Sequence, residues 1–369
     1  MSAYIQNIST AVPQHYFEQD FLRERMKEHI STSKNSERII HRIYSKSGIK
    51  KRHTVIDDFN TNGSARFFFK KDGSLNTPST GSRNEVYARK AKQLFVKTAR
   101  KTIRENNDIS KADITHIITV SCTGFFAPEP GFEIIQQLEL DDSTKRFHLG
   151  FMGCFAAFPA MKMARSFCTS NPDARVLVVC LELCTLHLQD SDNTDQLISA
   201  SVFADGAGGM IIGSKPPSKS AGFEIKQFAT AIADESQDDM SWTIGDTGFE
   251  MVLSTYVPEI IESNLTEAIQ PMLDDYNLST KQIAHWAVHP GGRAILDKIQ
   301  QSFTLEDKQL AAPRTILAEY GNMSSATILF VLAELLKNEN ITKTEPILSM
   351  AFGPGLTIES GLLTKVGPA

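Results

Sequence analysis

The chain has 369 residues, enough for a large core or two fused halves, and its 41% hydrophobic and 22% charged composition carries no disorder signature. A formal net charge of -5 predicts no global attraction to nucleic acid or an anionic membrane, and no apolar run approaches the roughly 20 residues that span a bilayer. Five cysteines without framework spacing, behind an N-terminus that lacks a signal-peptide pattern, predict a reducing, cytoplasmic setting with small molecules or proteins as partners.

In chain order, Arg42 and Lys46 stand four apart on a predicted helix, so both side chains share one face. Residues 70–84, rich in Lys, Ser, Gly, Asn and Thr, read as a surface loop. A helical pattern over 86–105 precedes a β-branched strand over 114–120. The strand-like stretch from Phe147 then runs into Gly153-Cys154 and a helix over 155–169. Strands follow over 176–181 and 209–212, and the Pro- and Ser-rich segment 214–220 is the clearest linker. Beyond it come a helix over 257–276, a strand over 284–288 ending at His289, and a turn into a helix over 294–302. A helix over 323–337, entered through Gly321-Asn322, and a strand over 347–352 complete the pattern. Such alternation predicts a layered α/β architecture, divided at the linker into 1–213 and 222–369, although no internal sequence repeat is visible.

Cys154, His289 and Asn322 all fall at junctions entering helices, where open α/β sheets gather their ligand sites. Each has a plain structural reading: a buried hydrophobe, a hydrogen-bonded core histidine, a helix cap. Three such junctions together point to chemistry. A thiol near a helix N-terminus is expected to ionise more readily than the usual pKa of about 8.5. A neutral imidazole beside it can take its proton and release a nucleophile for an acyl thioester. A carboxamide donates hydrogen bonds to a developing oxyanion without bringing negative charge, which suits the enolate left when a malonyl thioester loses carbon dioxide. Cys180, Cys184 and His187 lack a fourth ligand, so no metal site is expected.

Gly153-Cys154-Phe155-Ala156, His289-Pro290-Gly291-Gly292, Gly321-Asn322-Met323-Ser324 and Gly353-Pro354-Gly355 together resemble the motifs of type III polyketide synthases, the chalcone synthase family, across nearly the whole chain. The resemblance implies a bacterial-type member with a thiolase-like fold, two similar βαβαβ halves in a layered αβαβα arrangement. It implies an acyltransferase that loads an acyl-CoA starter on Cys154 and extends it by iterative decarboxylative Claisen condensation with malonyl-CoA. Cyclisation to a resorcinol- or phloroglucinol-type polyphenol or to a pyrone follows. CoA thioesters are substrates, no resident cofactor is implied, and a homodimer is expected, with the loop 127–131 reaching the neighbouring subunit.

Carried over residue by residue, the resemblance makes Phe203 a gatekeeper between the CoA entrance and the inner cavity, with Met251 replacing a second aromatic. Trp242, Gly124 and His187 occupy cavity-lining positions where plant enzymes carry other residues, which argues against a coumaroyl starter. Glu182 and Ser324 match a hydrogen-bond network that steers cyclisation, and Gly353, Pro354 and Gly355 hold backbone close to the cavity. Arg42 and Lys46 match CoA-phosphate contacts, whereas a third basic position is Ile39 here. Two other readings stay open at this point: a ketoacyl synthase III-like enzyme that condenses once, and a catalytically silent CoA-binding scaffold.

Overall fold

A computed structural model describes residues 2–59, 67–70, 75–233, 240–254, 256–343 and 345–367. Before the linker lie β1 (Ala3–Ala11), β2 (His15–Glu18), α1 (Gln19–Ile30), α2 (Lys34–Lys46), β3 (Lys51–Thr54), α3 (Thr80–Glu105) and β4 (His116–Ser121). They are followed by α4 (Pro130–Leu138), β5 (Lys145–Gly150), α5 (Ala157–Ser170), β6 (Arg175–Leu183), α6 (Thr194–Val202) and β7 (Asp205–Gly213). After it come β8 (Gly222–Ile232), β9 (Met240–Gly245), β10 (Gly248–Leu253), α7 (Val257–Asp275), β11 (His285–Val288) and α8 (Arg293–Phe303). The chain closes with α9 (Ala311–Tyr320), α10 (Thr327–Lys337), β12 (Pro346–Gly353) and β13 (Thr357–Val366).

Hydrogen bonding joins nine strands in the order β11-β12-β13-β8-β1-β7-β6-β4-β5. The pairing repeats about the β1–β8 seam. β1 with β7 and β8 with β13 are antiparallel, as are β6 with β7 and β12 with β13, while β4 with β6 and β11 with β12 are parallel. The seam itself is short, running from Ala3 opposite Ile225 to Ile5 opposite Phe223. This repeat of topology is invisible as a repeat of sequence because pairing depends on pattern and connection, not on residue identity.

Strand β6 is buried along almost its full length, which explains its unbroken apolar run: helices cover both faces. On one side α3 packs on β1, β6 and β7; on the other, α5 packs on β4, β6 and β7 and also reaches β13. Helix α10 touches β1 and β7 and, across the seam, β11, so α5 and α10 form an inner layer between the two halves of the sheet. Their side chains, among them Phe158, Met161, Leu329 and Val331, fill the central core. Helix α7 covers the far side of β8 and β13. The result is the thiolase-like αβαβα layering.

Two expectations change. The surface loop read over 70–84 is helix from Thr80 onward, whereas 71–74 lie outside the described residues. Ser79 caps that helix by accepting from the Ser82 N–H, and Arg83 is buried, donating to carbonyls of Pro78, Leu186 and Leu188. Polar composition mimics a loop when polar residues serve as cap and buried clamp. The helix read from 323 begins as a 3₁₀ turn over Ser324–Ala326, with the α-helix starting at Thr327.

Candidate active site

Strand β5 delivers the chain to an elbow. Phe151 (φ 57°) and Gly153 (φ 90°) take left-handed conformations, the Gly153 carbonyl accepts from the Ala156 N–H at 3.1 Å, and α5 starts at Ala157. Gly153 is sterically required: a Cβ there would lie 2.2 Å from Cδ of Pro354. The segment Gly353-Pro354-Gly355 thus presses its backbone against the elbow, as expected, and a Cβ on Gly353 would meet the Phe155 ring at 2.5 Å.

The Cys154 thiol does not follow the expected drift toward easier ionisation. Burial pushes it up to about 12, with hydrogen bonding from Ser324 and Asn322 offsetting only part of that rise. The thiol is buried, so desolvation of a thiolate acts in full, and the α-helix itself begins only at Ala157.

His289 directly follows β11, its N–H donating to the Met350 carbonyl at 2.8 Å. The ring is buried, and neither Nδ1 nor Nε2 has a hydrogen-bond partner among the described residues. Desolvation lowers its pKa to about 3, leaving a neutral imidazole. Asn322 lies after Gly321 (φ 72°) and is held by a β-bridge to Phe203, with its N–H donating to the Val202 carbonyl and its carbonyl accepting from the Ala204 N–H, both at 2.8 Å. Its Oδ1 accepts from the Ser324 N–H at 2.8 Å and its Nδ2 donates to the Gly291 carbonyl at 3.1 Å. An amide nitrogen carries two donors, and the second faces the Cys154 thiol, where a substrate oxygen can take its place. Cys154, His289 and Asn322 all line one cavity.

Residues 2–216 match the family model of the N-terminal domain of chalcone and stilbene synthases, and residues 224–367 match that of the C-terminal domain. The chain belongs to the chalcone and stilbene synthase family. The chain is 28% identical to a Dictyostelium discoideum protein described as probable polyketide synthase 1, over 99% of its own length but only 12% of that relative's. It superimposes with a TM-score of 0.91 and 28% identity on the C-terminal type III domain of Steely1, a type I/III hybrid from Dictyostelium, covering 99% of this chain and 100% of that one. PKS-I from the brown alga Ectocarpus siliculosus gives the same score and identity, covering 99% and 98%. The 1,3,6,8-tetrahydroxynaphthalene synthase of Streptomyces coelicolor gives 0.86 at 25% identity, covering 98% and 99%.

The cavity that holds Cys154, His289 and Asn322 is walled by Phe203, Trp242 and Met251, with Ser324 and Pro354 also lining it. Glu182 is buried beside the cavity-lining Cys122 and Thr123, accepting from the Cys122 N–H and Thr123 Oγ1, each at 2.9 Å, and from Ser325 Oγ. Burial raises its pKa to about 7. Ser325 is therefore the serine that bonds Glu182, whereas Ser324, with φ 45°, lines the reaction cavity together with Cys154. Gly124 does not line the cavity: a Cβ there would strike the Tyr87 ring at 2.2 Å, so this glycine makes room for a buried aromatic. His187 lines the neighbouring chamber, stacked on Phe249 with ring centroids 4.2 Å apart.

A third cleft shares Leu253, Gly291 and Ile295 with the reaction cavity. Lys46 lines it and Arg42 does not. Sequence reasoning missed Arg293, which lines the same cleft from the start of α8 while pairing with Asp297 at 3.3 Å. Ile39 packs instead against the apolar cluster of α1, α2 and α6. Glu129, in the loop 127–131, caps α4 and pairs with Arg146 at 2.9 Å.

Proposed function

We propose that the synthase loads an acyl-CoA starter on Cys154 and extends it repeatedly with malonyl-CoA. The observation that carries this reading is the convergence on one cavity of Cys154, Asn322 and a neutral His289 whose ring has no hydrogen-bond partner among the described residues. A thiol held up by burial cannot supply much thiolate at neutral pH, so His289 takes its proton as the sulfur attacks the starter carbonyl, and returns it to the departing CoA thiolate. Malonyl-CoA then loses carbon dioxide; its thioester oxygen gains charge and is held by Asn322 Nδ2 and by His289. The enolate carbon attacks the Cys154 thioester, the thiolate leaves, and the lengthened chain stays on CoA for another cycle.

The cleft lined by Lys46 and Arg293 adjoins this cavity and suits the CoA phosphates, Lys46 as a point charge and Arg293 as a fork. CoA thioesters enter as substrates and no step draws on a resident cofactor. Ring closure to a polyphenol or pyrone takes place in the same cavity, with the Glu182–Ser325 network beside it. The synthase works as a homodimer in the cytoplasm, where CoA thioesters are available; no helix among the described residues is long and apolar enough to cross a membrane.

The test is incubation of the purified protein with malonyl-CoA and a panel of acyl-CoA starters, read by mass spectrometry. Products containing two or more malonyl-derived units support the proposal. A single condensation with every starter favours a ketoacyl synthase III-like enzyme, and no extension with any starter overturns it.

A further inference from the structure

Helix α2 carries Lys34, Arg38, Arg42 and Lys46 at a strict spacing of four, a row that follows the outer side of the helix for about 18 Å. The buried residues of the same helix, Ser36, Ile40 and Tyr44, lie two positions off, about half a turn round, so the row faces away from the fold. All four cations are exposed, and none has an ion pair or hydrogen bond among the described residues. Glu37, the one carboxylate on α2, pairs with none of them.

Such a row is unfavourable as it stands. Like charges four apart on a helix oppose one another, and Lys34 sits in the first turn, where the helix dipole favours an anion. Overall charge does not account for it, since the chain carries a net -5. Cations close by are neutralised in the ordinary way: Lys50 pairs with Glu319 at 3.2 Å and Arg293 with Asp297 at 3.3 Å. At its Lys46 end the row meets the cleft that adjoins the reaction cavity, where Ile43 and Lys46 form part of the wall. Lys34 and Arg38, about 18 and 12 Å back along the axis, do not line it. A CoA thioester seated in the cleft engages Lys46 and leaves those two cations facing solvent.

We infer that this row docks an acidic carrier protein, whose phosphopantetheine arm enters the cleft and offers an acyl starter to Cys154. The inference rests on the acyl-loading reading above and widens the donor from CoA to a protein. The arm is chemically the thiol-bearing half of CoA, so it reaches the cavity by the same cleft; what stays outside is an acidic protein surface in place of nucleotide phosphates. A row of ammonium and guanidinium groups matches clustered carboxylates, and Ile39 and Ile43, half-buried on the adjoining row, add a small apolar contact. In the transfer the Cys154 sulfur bonds the acyl carbon and the bond from that carbon to the arm's sulfur breaks. The thiol proton passes through His289 to the departing arm thiolate.

The test compares two donors, an acidic bacterial acyl carrier protein charged with an octanoyl group and octanoyl-CoA, on the wild-type synthase and on the double variant Lys34→Glu/Arg38→Glu. Both positions are exposed, and glutamate at 34 suits the first turn, so the variant keeps its fold. Single-turnover acylation of Cys154 is followed by mass spectrometry of the intact protein. The expected result is a fall of at least about tenfold in the rate of loading from the carrier, with loading from octanoyl-CoA within about twofold of wild type. The difference between the two proteins should narrow as salt is raised from about 0.05 to about 0.3 M. Equal carrier loading by both proteins overturns the inference, as does an equal loss with both donors. So does a wild type that accepts octanoyl-CoA and takes nothing from the carrier.

Fluorescence anisotropy of the labelled carrier titrated with each protein gives a second reading that needs no turnover. Binding at least about tenfold weaker for the double variant supports the inference, and equal binding overturns it. Binding of wild type to phosphatidylglycerol vesicles without binding to the carrier overturns it in favour of an anionic membrane surface. Absence of loading from both donors tells against the catalytic reading alone, because the anisotropy titration still reports on the row.

Discussion

Asn322 Nδ2 donates to the Gly291 carbonyl at 3.1 Å, tying the carboxamide to the turn that carries His289. The two groups assigned to the enolate oxygen are thus positioned by each other's loops as well as by their own. Asn322→Asp puts negative charge where the oxyanion forms. The expected outcome is at least about a hundredfold loss of malonyl-CoA decarboxylation, with starter loading reduced far less. Carbon dioxide release and acyl transfer to the protein, measured separately, check the split.

His289 and Cys154 should separate by pH. Cys154→Ala abolishes loading at every pH, because the acyl acceptor is gone. His289→Gln loses loading at pH 7 but recovers it as pH rises, since thiolate supply grows about tenfold per unit below the thiol's raised pKa; extension stays impaired. Single-turnover loading of a radiolabelled starter between about pH 7 and pH 10 gives the readout.

The same burial predicts how the resting thiol meets an alkylating reagent. Inactivation of wild type by iodoacetamide should keep accelerating through pH 9 without a plateau, because desolvation holds the thiol protonated well above the ordinary range. A plateau already present near pH 6 would mean that a thiolate–imidazolium pair exists before substrate arrives.

Glu182 supplies a stability test. Its folded pKa, raised to about 7 by burial, exceeds the unfolded value near 4.5, so the folded state binds the extra proton between them. Stability is therefore lost as pH rises from about 4.5 to about 7, at up to about 1.4 kcal/mol per pH unit. Glu182→Gln keeps an oxygen for the Cys122 N–H and Thr123 Oγ1 and removes the titration. Thermal melts across this range should show a flatter pH dependence for the variant.

Arg293 and Lys46 predict a binding effect confined to the long substrate arm. Replacing either with Ala should raise KM for CoA thioesters about three- to tenfold, in the range expected for exposed charge contacts, while leaving kcat near wild type. Pantetheine thioesters, which lack the nucleotide phosphates, should respond to neither substitution.

Much of the molecule was legible from local pattern. The apolar runs at 176–181 and 347–352 became buried strands, and the periodic segments at 257–276 and 86–105 became helices, because burial of one face is written into residue spacing. Strands β1, β8 and β13, which form the seam and its flank, were not foreseen. Their partners are distant in the chain and their pattern is weak: β8 leaves much of its length partly buried.

By itself the sequence determined the family, the layered α/β class and the three reactive residue types, because these reside in motif order, periodicity and side-chain chemistry. Only the tertiary structure decided that Ser325 and not Ser324 meets Glu182, that Tyr87 fills the space beside Gly124, and that Arg293 joins Lys46 at the CoA cleft. It also reversed the expected drift of the Cys154 thiol. Each of these depends on what packs around a group from elsewhere in the chain, and desolvation has no local signature.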